Sequence, residues 1–177
     1  MKNLILSPLF PPDTGAPAGY VKELATRLGA AQDTHLLVYG YLPEEISGVD
    51  ITSVDKRASL PLRLLSFIKS LAALTSESDL ILLNNAPSVE LPFLIVTLFK
   101  KIPYTLIESD PIAKEASTAG FYKFLHSLIK NRAKRIVTLE GELLYKKEEL
   151  LPFEEFDAAR EARRQIWWEN HLKVVTS

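Results

Sequence analysis

Residues 2–27 read KNLILSPLFPPDTGAPAGYVKELATR, and this stretch decides the fold. The apolar run at residues 4–6 predicts a buried β-strand, and apolar residues at helical spacing from Tyr20 to Leu28 predict a helix. A proline-rich loop that contains Gly15 joins the two. We therefore predict that the stretch forms the strand, loop and helix that begin a parallel α/β sheet.

The loop at residues 7–19 is predicted to lie at the carboxyl edge of that sheet. There, the first turn of the following helix aims backbone N–H groups into a crevice, and such groups bind anions. Proline stiffens the loop, and Gly15 allows a close approach of the backbone to a neighbour. The other interpretation is a rigid connection without a ligand, because the loop has neither a GxGxxG pattern nor the lysine of a P-loop.

Residues 11–29, PPDTGAPAGYVKELATRLG, resemble the amino-terminal signature of GT-B glycosyltransferases of the family 4 type. In that family a loop rich in proline and glycine precedes a helix that reads roughly "aryvreLAraLa". Gly15 and Ala16 stand where the family usually has two glycines. The resemblance implies that these two residues border the diphosphate of a sugar nucleotide and the acceptor.

The rest of the chain alternates short apolar runs with segments of helical periodicity. The runs predict strands at residues 34–41, 50–54, 79–84, 103–107 and 135–139. The periodic segments predict helices that begin at Pro61, span residues 86–101 and span residues 122–132, the second of them buried because it is apolar nearly all round. This alternation predicts one three-layer, Rossmann-like α/β domain with a mainly parallel sheet.

The same resemblance covers three later segments, which match strands of the family in order and spacing: DLILLN (79–84), KIPYTLI (101–107) and AKRIVTL (133–139). Two positions depart from the family pattern. Glu108, Ser109 and Asp110 follow the second segment, where the family often has a histidine that contacts the donor sugar. Glu140 stands where the family often has a serine. These departures predict weakened or altered chemistry.

The resemblance implies a substrate and diphosphate site at the carboxyl edge, formed by Asp13, Thr14, Gly15, Ala16, Asn84, Asn85 and Ser109. The candidates for catalysis are Glu108 and Asp110. Paired acids at such an edge, joined by Asp13, can divide acid and base roles or bind sugar hydroxyls. The alternative is structural, with Asp110 opening a turn at Pro111 and Asp13 capping its own loop.

The carboxyl-terminal segment FDAAREARRQIWWENHLKVV (156–175) is helix-prone and resembles the extreme carboxyl end of a complete family 4 enzyme. In the GT-B fold that last helix packs back on the first domain. We therefore expect residues 1–152 to form the GT-B amino-terminal domain and residues 153–177 to form a crossover-type helix docked on it. The donor-binding domain that separates these parts in the family is missing from the sequence.

Composition limits the function further. A chain of 177 residues suits one domain, and its net charge of −1 gives no field that would attract nucleic acid. Cysteine is absent, which excludes disulfides and thiolate chemistry. No apolar run approaches 18 residues, and the first residues lack the pattern of a secretory signal. These features favour a cytoplasmic protein.

The three histidines predict neither a metal site nor a bound cofactor, because no two of them lie at i, i+4 with a supporting carboxylate. His126 is expected on the flank of its helix. That helix and its end, residues 121–135, carry five lysines and arginines beside an apolar face. Such a helix can make a weak peripheral contact with anionic lipid, or it can place cations near its carboxyl end because the helix dipole favours them there.

The sequence thus predicts an acceptor-recognising domain for sugar transfer from a nucleotide-sugar donor, inactive alone or needing a separate donor-domain polypeptide. The alternative is a non-catalytic Rossmann-like module that binds a small anion or a protein. Without a second domain, the carboxyl edge is expected to expose an apolar patch made of Leu9, Phe10, Pro11, Val89 and Ile112. Such patches are usually covered, so we predict a homodimer.

Overall fold

The computed structural model describes residues 1–13, 15–98, 102–139 and 153–177, with the backbone alone at residues 16 and 153–160. Six of its elements are β-strands: β1 (Asn3–Ser7), β2 (Thr34–Tyr39), β3 (Val49–Val54), β4 (Leu80–Asn84), β5 (Thr105–Glu108) and β6 (Arg135–Thr138). Their bounds lie within two residues of the predicted ones wherever a strand was predicted.

The described helices are α1 (Ala16–Gly29), α2 (Leu60–Thr75), α3 (Pro87–Thr97), α4 (Pro111–Ala116), α5 (Gly120–Arg132) and α6 (Phe153–Thr176). Helices α1 to α4 each have a proline at their first or second position. Proline is tolerated there because the N–H it lacks would have no partner within the helix. These prolines therefore set where four helices begin.

The six strands form one sheet in which every neighbouring pair is parallel, in the order β3-β2-β1-β4-β5-β6. The chain moves outward from β1 to β2 and β3, then returns to the other side of β1 with β4. This is the Rossmann strand order, and its topological switch point lies between β1 and β4. The predicted fold class is confirmed.

The core follows from the alternation of side chains along the strands. Leu4 and Leu6 of β1 point to the face covered by α2, α3 and α5, where Phe67 and Phe93 are fully buried. Ile5 is equally buried, and alternation places it on the opposite face. Helix α1 packs against β1, β2 and β3 with its apolar stripe inward. The strands are apolar on both faces because both faces are covered.

Several local predictions were wrong. Helix α3 ends at Thr97 and exposes Ile95, so it is not buried all round. A short helix, α4, stands where only a turn was expected after Asp110. The predicted apolar patch is wrong at two of its five residues, because Phe10 and Val89 are buried while Ile112 is exposed.

The chain divides into two compact units, residues 1–138 and 139–177. The first holds the sheet with α1 to α5, and the second contains α6, which begins at Phe153. Docking of α6 on the sheet stays a prediction, and Glu140 lies outside the described residues. Within the described ranges, no helix combines the length and apolar character needed to cross a bilayer.

Candidate functional site

The carboxyl edge of the sheet brings together most of the predicted site. Strands β1, β4 and β5 end there at Ser7, Asn84 and Glu108, in adjacent positions of the strand order. Ligands of open α/β sheets bind outside the carboxyl ends of the strands at the switch point. The loop that follows β1 and the residues that follow β4 and β5 therefore frame the candidate crevice.

The β1–α1 loop is folded on itself. The Ser7 hydroxyl donates to the Leu9 carbonyl at 2.7 Å, and the Asp13 N–H donates to the Phe10 carbonyl at 3.0 Å. Gly15 has φ 154°, a conformation that side chains rarely allow, and a Cβ there would lie 2.7 Å from Leu9 Cδ1. The loop thus requires glycine at this position. Thr14 lies outside the described residues.

Helix α1 begins directly after this glycine, so its amino end opens toward the crevice. Pro17 lies in its first turn and has no N–H. The Ala18 N–H donates to the Gly15 carbonyl at 3.1 Å. An anion at this helix end would therefore rely chiefly on the backbone N–H groups of residues 15 and 16, fewer than helices without proline present.

Asp13 contacts the far side of the crevice. The Lys56 ammonium, in the loop after β3, donates to Asp13 Oδ2 at 2.5 Å, and about a third of each side chain is exposed. Strand β3 and strand β5 lie on opposite sides of β1. Among the described residues, Asp13 makes its ion pair with Lys56, and a meeting of Asp13 with Glu108 and Asp110 stays a prediction.

Asn84, Asn85 and Ser109 do form one cluster. Asn84 donates through Nδ2 to the Leu6 carbonyl at 3.0 Å and accepts from the Ser109 hydroxyl at 2.8 Å. Asn85 exchanges two hydrogen bonds with the backbone of Asp110, donating at 3.0 Å and accepting at 2.9 Å. Both asparagines are fully buried. Their amides therefore hold the ends of β1, β4 and β5 together beneath the crevice floor.

Asp110 is the N-cap of α4, where its carboxylate accepts from the N–H groups of Ile112 at 2.9 Å and Ala113 at 3.3 Å. Asp110 thus has a structural role, since an aspartate before a proline-led helix satisfies its first N–H groups. Oδ1 receives both bonds. A catalytic role for Asp110 would have to use the other oxygen, and it stays a prediction.

Glu108 is buried at the end of β5 and is tightly held. Its Oε1 accepts from Lys130 Nζ at 2.7 Å and lies 3.2 Å from His126 Nε2, while its Oε2 accepts from the Thr138 hydroxyl at 2.8 Å. Burial alone would raise the pKa of Glu108, but these hydrogen bonds outweigh it and hold the pKa at about 2. These contacts therefore favour the ionised form of Glu108, and a catalytic role for it stays a prediction.

Glu90, Tyr122 and His126 complete a group of polar side chains that the sequence interpretation missed. Glu90 Oε1 accepts from the Tyr122 hydroxyl at 3.0 Å and lies 2.9 Å from His126 Nδ1. Glu90 and His126 are both buried, so His126 is not on the helix flank as predicted. The signal in the sequence was Glu90, the single charged residue of a mainly apolar α3, since a buried carboxylate needs partners.

Two cations of the basic helix already bind partners within the domain. Lys130 pairs with Glu108, and Arg132 Nη2 donates to the Thr97 carbonyl at 2.6 Å. The basic face that suggested contact with anionic lipid is therefore smaller than the sequence implies. Membrane contact stays a prediction.

A cavity of about 550 Å³ lies at the opposite edge of the sheet, where β5 begins, and Tyr104 and Arg132 are among the residues that line it. It is far in the topology from the switch point and contains none of the predicted site residues. Among the described residues, no group of three or more histidine, aspartate or glutamate side chains is arranged to hold a metal ion.

No protein-family model and no curated protein sequence matches this chain. The resemblance to GT-B glycosyltransferases therefore rests on the sequence segments quoted above.

Proposed function

We propose that this chain is the acceptor-side domain of a cytoplasmic GT-B glycosyltransferase, working with a donor-binding domain that holds a nucleotide sugar. One observation carries the proposal. The loop that resembles the family signature follows the central strand of a sheet with Rossmann order, at the switch point, and it contains a glycine that the backbone requires. Fold alone would not identify the reaction, because Rossmann sheets serve many functions.

In the proposed reaction an acceptor hydroxyl attacks the anomeric carbon of the donor sugar. The new glycosidic bond forms, the bond to the diphosphate breaks, and the hydroxyl proton passes to a base or to the departing diphosphate. This chain would bind and orient the acceptor. Asp13, partly exposed beside Lys56, can accept a hydrogen bond from a sugar hydroxyl. Glu108 would contribute by holding the rim of the crevice, since its oxygens are already occupied.

The second candidate is a non-catalytic Rossmann-like module that binds a small anion or a protein. It is favoured by the way the acidic groups are used, because Asp110 caps a helix and Glu108 is buried among hydrogen-bond donors. The two candidates differ in whether a nucleotide sugar and an acceptor bind together and react when a donor domain is supplied.

We expect uridine and guanosine diphosphate sugars to shift the backbone amide NMR signals of residues 15, 16 and 18 and of Asn84 and Asn85. The variant Gly15→Ala should weaken that binding about tenfold or more, since alanine at this φ forces the loop to move. Gly19→Ala is the matched control, because a Cβ at Gly19 meets nothing within 4 Å. Titration of both variants by calorimetry and NMR provides the measurement.

We expect the chain alone to transfer almost no sugar. Addition of a family 4 donor domain should produce measurable sugar transfer, and the Gly15→Ala variant should reduce its rate. Robust transfer by the chain alone would contradict the division of labour proposed here. If millimolar nucleotide sugars and simple sugar acceptors shift no amide signal near the crevice, the glycosyltransferase proposal is wrong and the binding-module alternative remains.

Self-association through the carboxyl edge is also proposed, on a surface that differs from the one predicted. Three exposed apolar side chains follow the carboxyl ends of strands in the chain: Leu42 after β2, Leu60 after β3 and Ile112 after β5. Each of them is between 69% and 78% exposed. We expect sedimentation at tens of micromolar to give a mass near twice 19.9 kDa. The double variant Leu42→Asp, Leu60→Asp should sediment as a monomer.

The matched control for the dimer is Leu98→Asp. Leu98 is also exposed, but it follows the end of α3 and so lies toward the opposite edge of the sheet. This variant should keep the dimer mass. A monomer in the unmodified chain, or a dimer that Leu98→Asp disrupts and the double variant does not, would exclude the proposed surface.

A further inference from the structure

Five ionisable side chains form a buried charge cluster beneath the rim of the crevice: Glu90 from α3, Glu108 from β5, and Tyr122, His126 and Lys130 from α5. His126 is at its centre, with Nδ1 2.9 Å from Glu90 Oε1 and Nε2 3.2 Å from Glu108 Oε1. The two glutamates and the histidine are buried. In the proposed function only Glu108 of this cluster has a role, that of holding the rim, and none is given to Glu90, Tyr122, His126 or Lys130.

The positions of the two facing carboxylates favour one protonation state of the His126 ring. A carboxylate oxygen is an acceptor, and a neutral imidazole has one N–H and one lone pair. Because both ring nitrogens of His126 face carboxylate oxygens, a neutral ring would direct its lone pair at one of them. A ring with two N–H groups donates to Glu90 and Glu108 at once. The arrangement therefore suits an imidazolium between two carboxylates.

The buried charge cluster is connected to the crevice through the chain and through hydrogen bonds. Glu108 is followed by Ser109, whose hydroxyl donates to Asn84, and Asn84 donates to the Leu6 carbonyl at the end of β1. The next residue, Asp110, exchanges hydrogen bonds with Asn85. A movement of Glu108 would thus be transmitted to both strands of the switch point.

We propose that protonated His126 is a buried clamp that holds the rim of residues 108–110 in place at the switch point, and that loss of its ring proton loosens the rim. His126 is a positioning residue in this proposal, since it does not face the crevice. The clamp does not depend on which ligand the crevice binds. It therefore extends beyond the proposed glycosyltransferase function and can hold if that function is wrong.

The charges around the ring set the direction of the effect. Glu90 and Glu108 face His126, and Lys130 pairs with Glu108. The Tyr122 hydroxyl donates to Glu90, the charge of Asp110 acts on Tyr122, and the Thr138 hydroxyl of β6 donates to Glu108. With the ring charged, two cations face two carboxylates. Loss of the proton leaves one cation and a surplus of buried negative charge, which a low dielectric makes unfavourable.

The pH range follows from the same groups. Burial alone would lower the pKa of His126, but hydrogen bonds and charge from Glu90 and then Glu108 outweigh it and raise the pKa above its ordinary 6.5. A raised pKa in the folded state means that the clamp is complete below pH 6.5. The clamp is then lost as pH rises through the folded pKa.

The direct test is an NMR titration of the histidine rings in the unmodified chain. At pH 6.5 we expect both ring nitrogens of His126 to carry protons in most molecules. Burial lowers the pKa of His35, and it lowers the pKa of His171 to about 4, so these two rings should be mostly neutral at that pH. A neutral His126 ring at pH 6.5, with a lone pair toward one glutamate, would overturn the proposal.

Coupling to the rim is tested in the same experiment. Amide signals of Ser109 and Asp110 and the side-chain amides of Asn84 and Asn85 should shift with the midpoint of His126 between pH 6 and about pH 9, short of the lysine range. If those signals do not shift at the His126 midpoint, or if the ring stays charged over this whole pH range, the clamp does not work as a switch and the proposal fails.

The variant Glu90→Gln tests the charge that faces His126 Nδ1, since it removes that charge and keeps the shape of the side chain. We expect the His126 midpoint to fall by about 1–3 pH units and the midpoint of the rim signals to fall with it. His35→Gln is the control, because His35 bonds to Thr52 between β2 and β3 and should leave the rim midpoint unchanged. If Glu90→Gln does not fold, the titration of the unmodified chain still decides.

Discussion

The variant Glu108→Ala is expected to lose about 3–5 kcal/mol of its free energy of unfolding, because it leaves His126 and Lys130 without their shared carboxylate. Removing one partner of a buried ion pair has a large effect since the remaining charge stays in a low dielectric. Urea unfolding at pH 7, followed by circular dichroism, measures the loss. The buried charge cluster then has a role in stability as well as in positioning.

A matched surface pair provides the control for this prediction. Lys2 Nζ and Glu77 Oε2 lie 3.9 Å apart with both side chains mostly exposed, so Glu77→Ala should change the free energy of unfolding by less than about 1 kcal/mol.

The free energy of unfolding of the unmodified chain should also fall in acid. The pKa of Glu108 is held at about 2, below its ordinary 4.5, so its contribution is present above pH 4.5 and is lost as pH falls toward 2. Equal losses of unfolding free energy for Glu108→Ala and Glu77→Ala at pH 7 would contradict the stabilising role of Glu108.

The second large effect is expected in the core. Phe93→Ala should lower the free energy of unfolding by about 3–5 kcal/mol, because the ring is fully buried and meets the Tyr104 ring edge-on at 4.6 Å. Truncation removes the contact with the Tyr104 ring, which directly precedes β5, and leaves a cavity where the aromatic ring was. Thermal and urea unfolding of the same preparation measure the change.

Phe124→Ala is the control for the core variant, since it deletes the same side chain from α5 where the ring is 62% exposed. Its expected change is within about 0.5 kcal/mol. A large loss for Phe124→Ala, or a small one for Phe93→Ala, would mean that the helices present other faces to the sheet than those described.

The fold could be predicted because its signals are local. Continuous apolar runs such as Leu4 to Leu6 and Leu80 to Leu83 mark strands covered on both faces, and prolines such as Pro61 mark where helices begin. Alternation of the two then predicts a parallel sheet. The order of the strands is not local, and in the sequence it was supported only by general rules of connection and by the resemblance.

The candidate site was predicted only in part, for the same physical reason. Gly15 and the asparagines at the end of β4 could be placed at the crevice because each follows a strand. The pairing of Glu90 with His126 joins residues 36 positions apart, and periodicity carries no information on such a contact. The same limit explains the burial of Phe10, which depends on how its loop folds over the sheet.

The strand order also determines when the sheet can be completed. Strand β1 is the first to be synthesised, yet it pairs with β4 as well as β2, and Asn3 lies opposite Leu80. At ribosomal speeds of 5–20 residues per second, roughly 4–15 s separate the synthesis of these two strands. During that interval one edge of an apolar strand has no partner, which is the condition under which strands pair with other chains. The nascent chain therefore depends on rapid capture of β4, or on chaperones that shield β1 until residue 84 emerges.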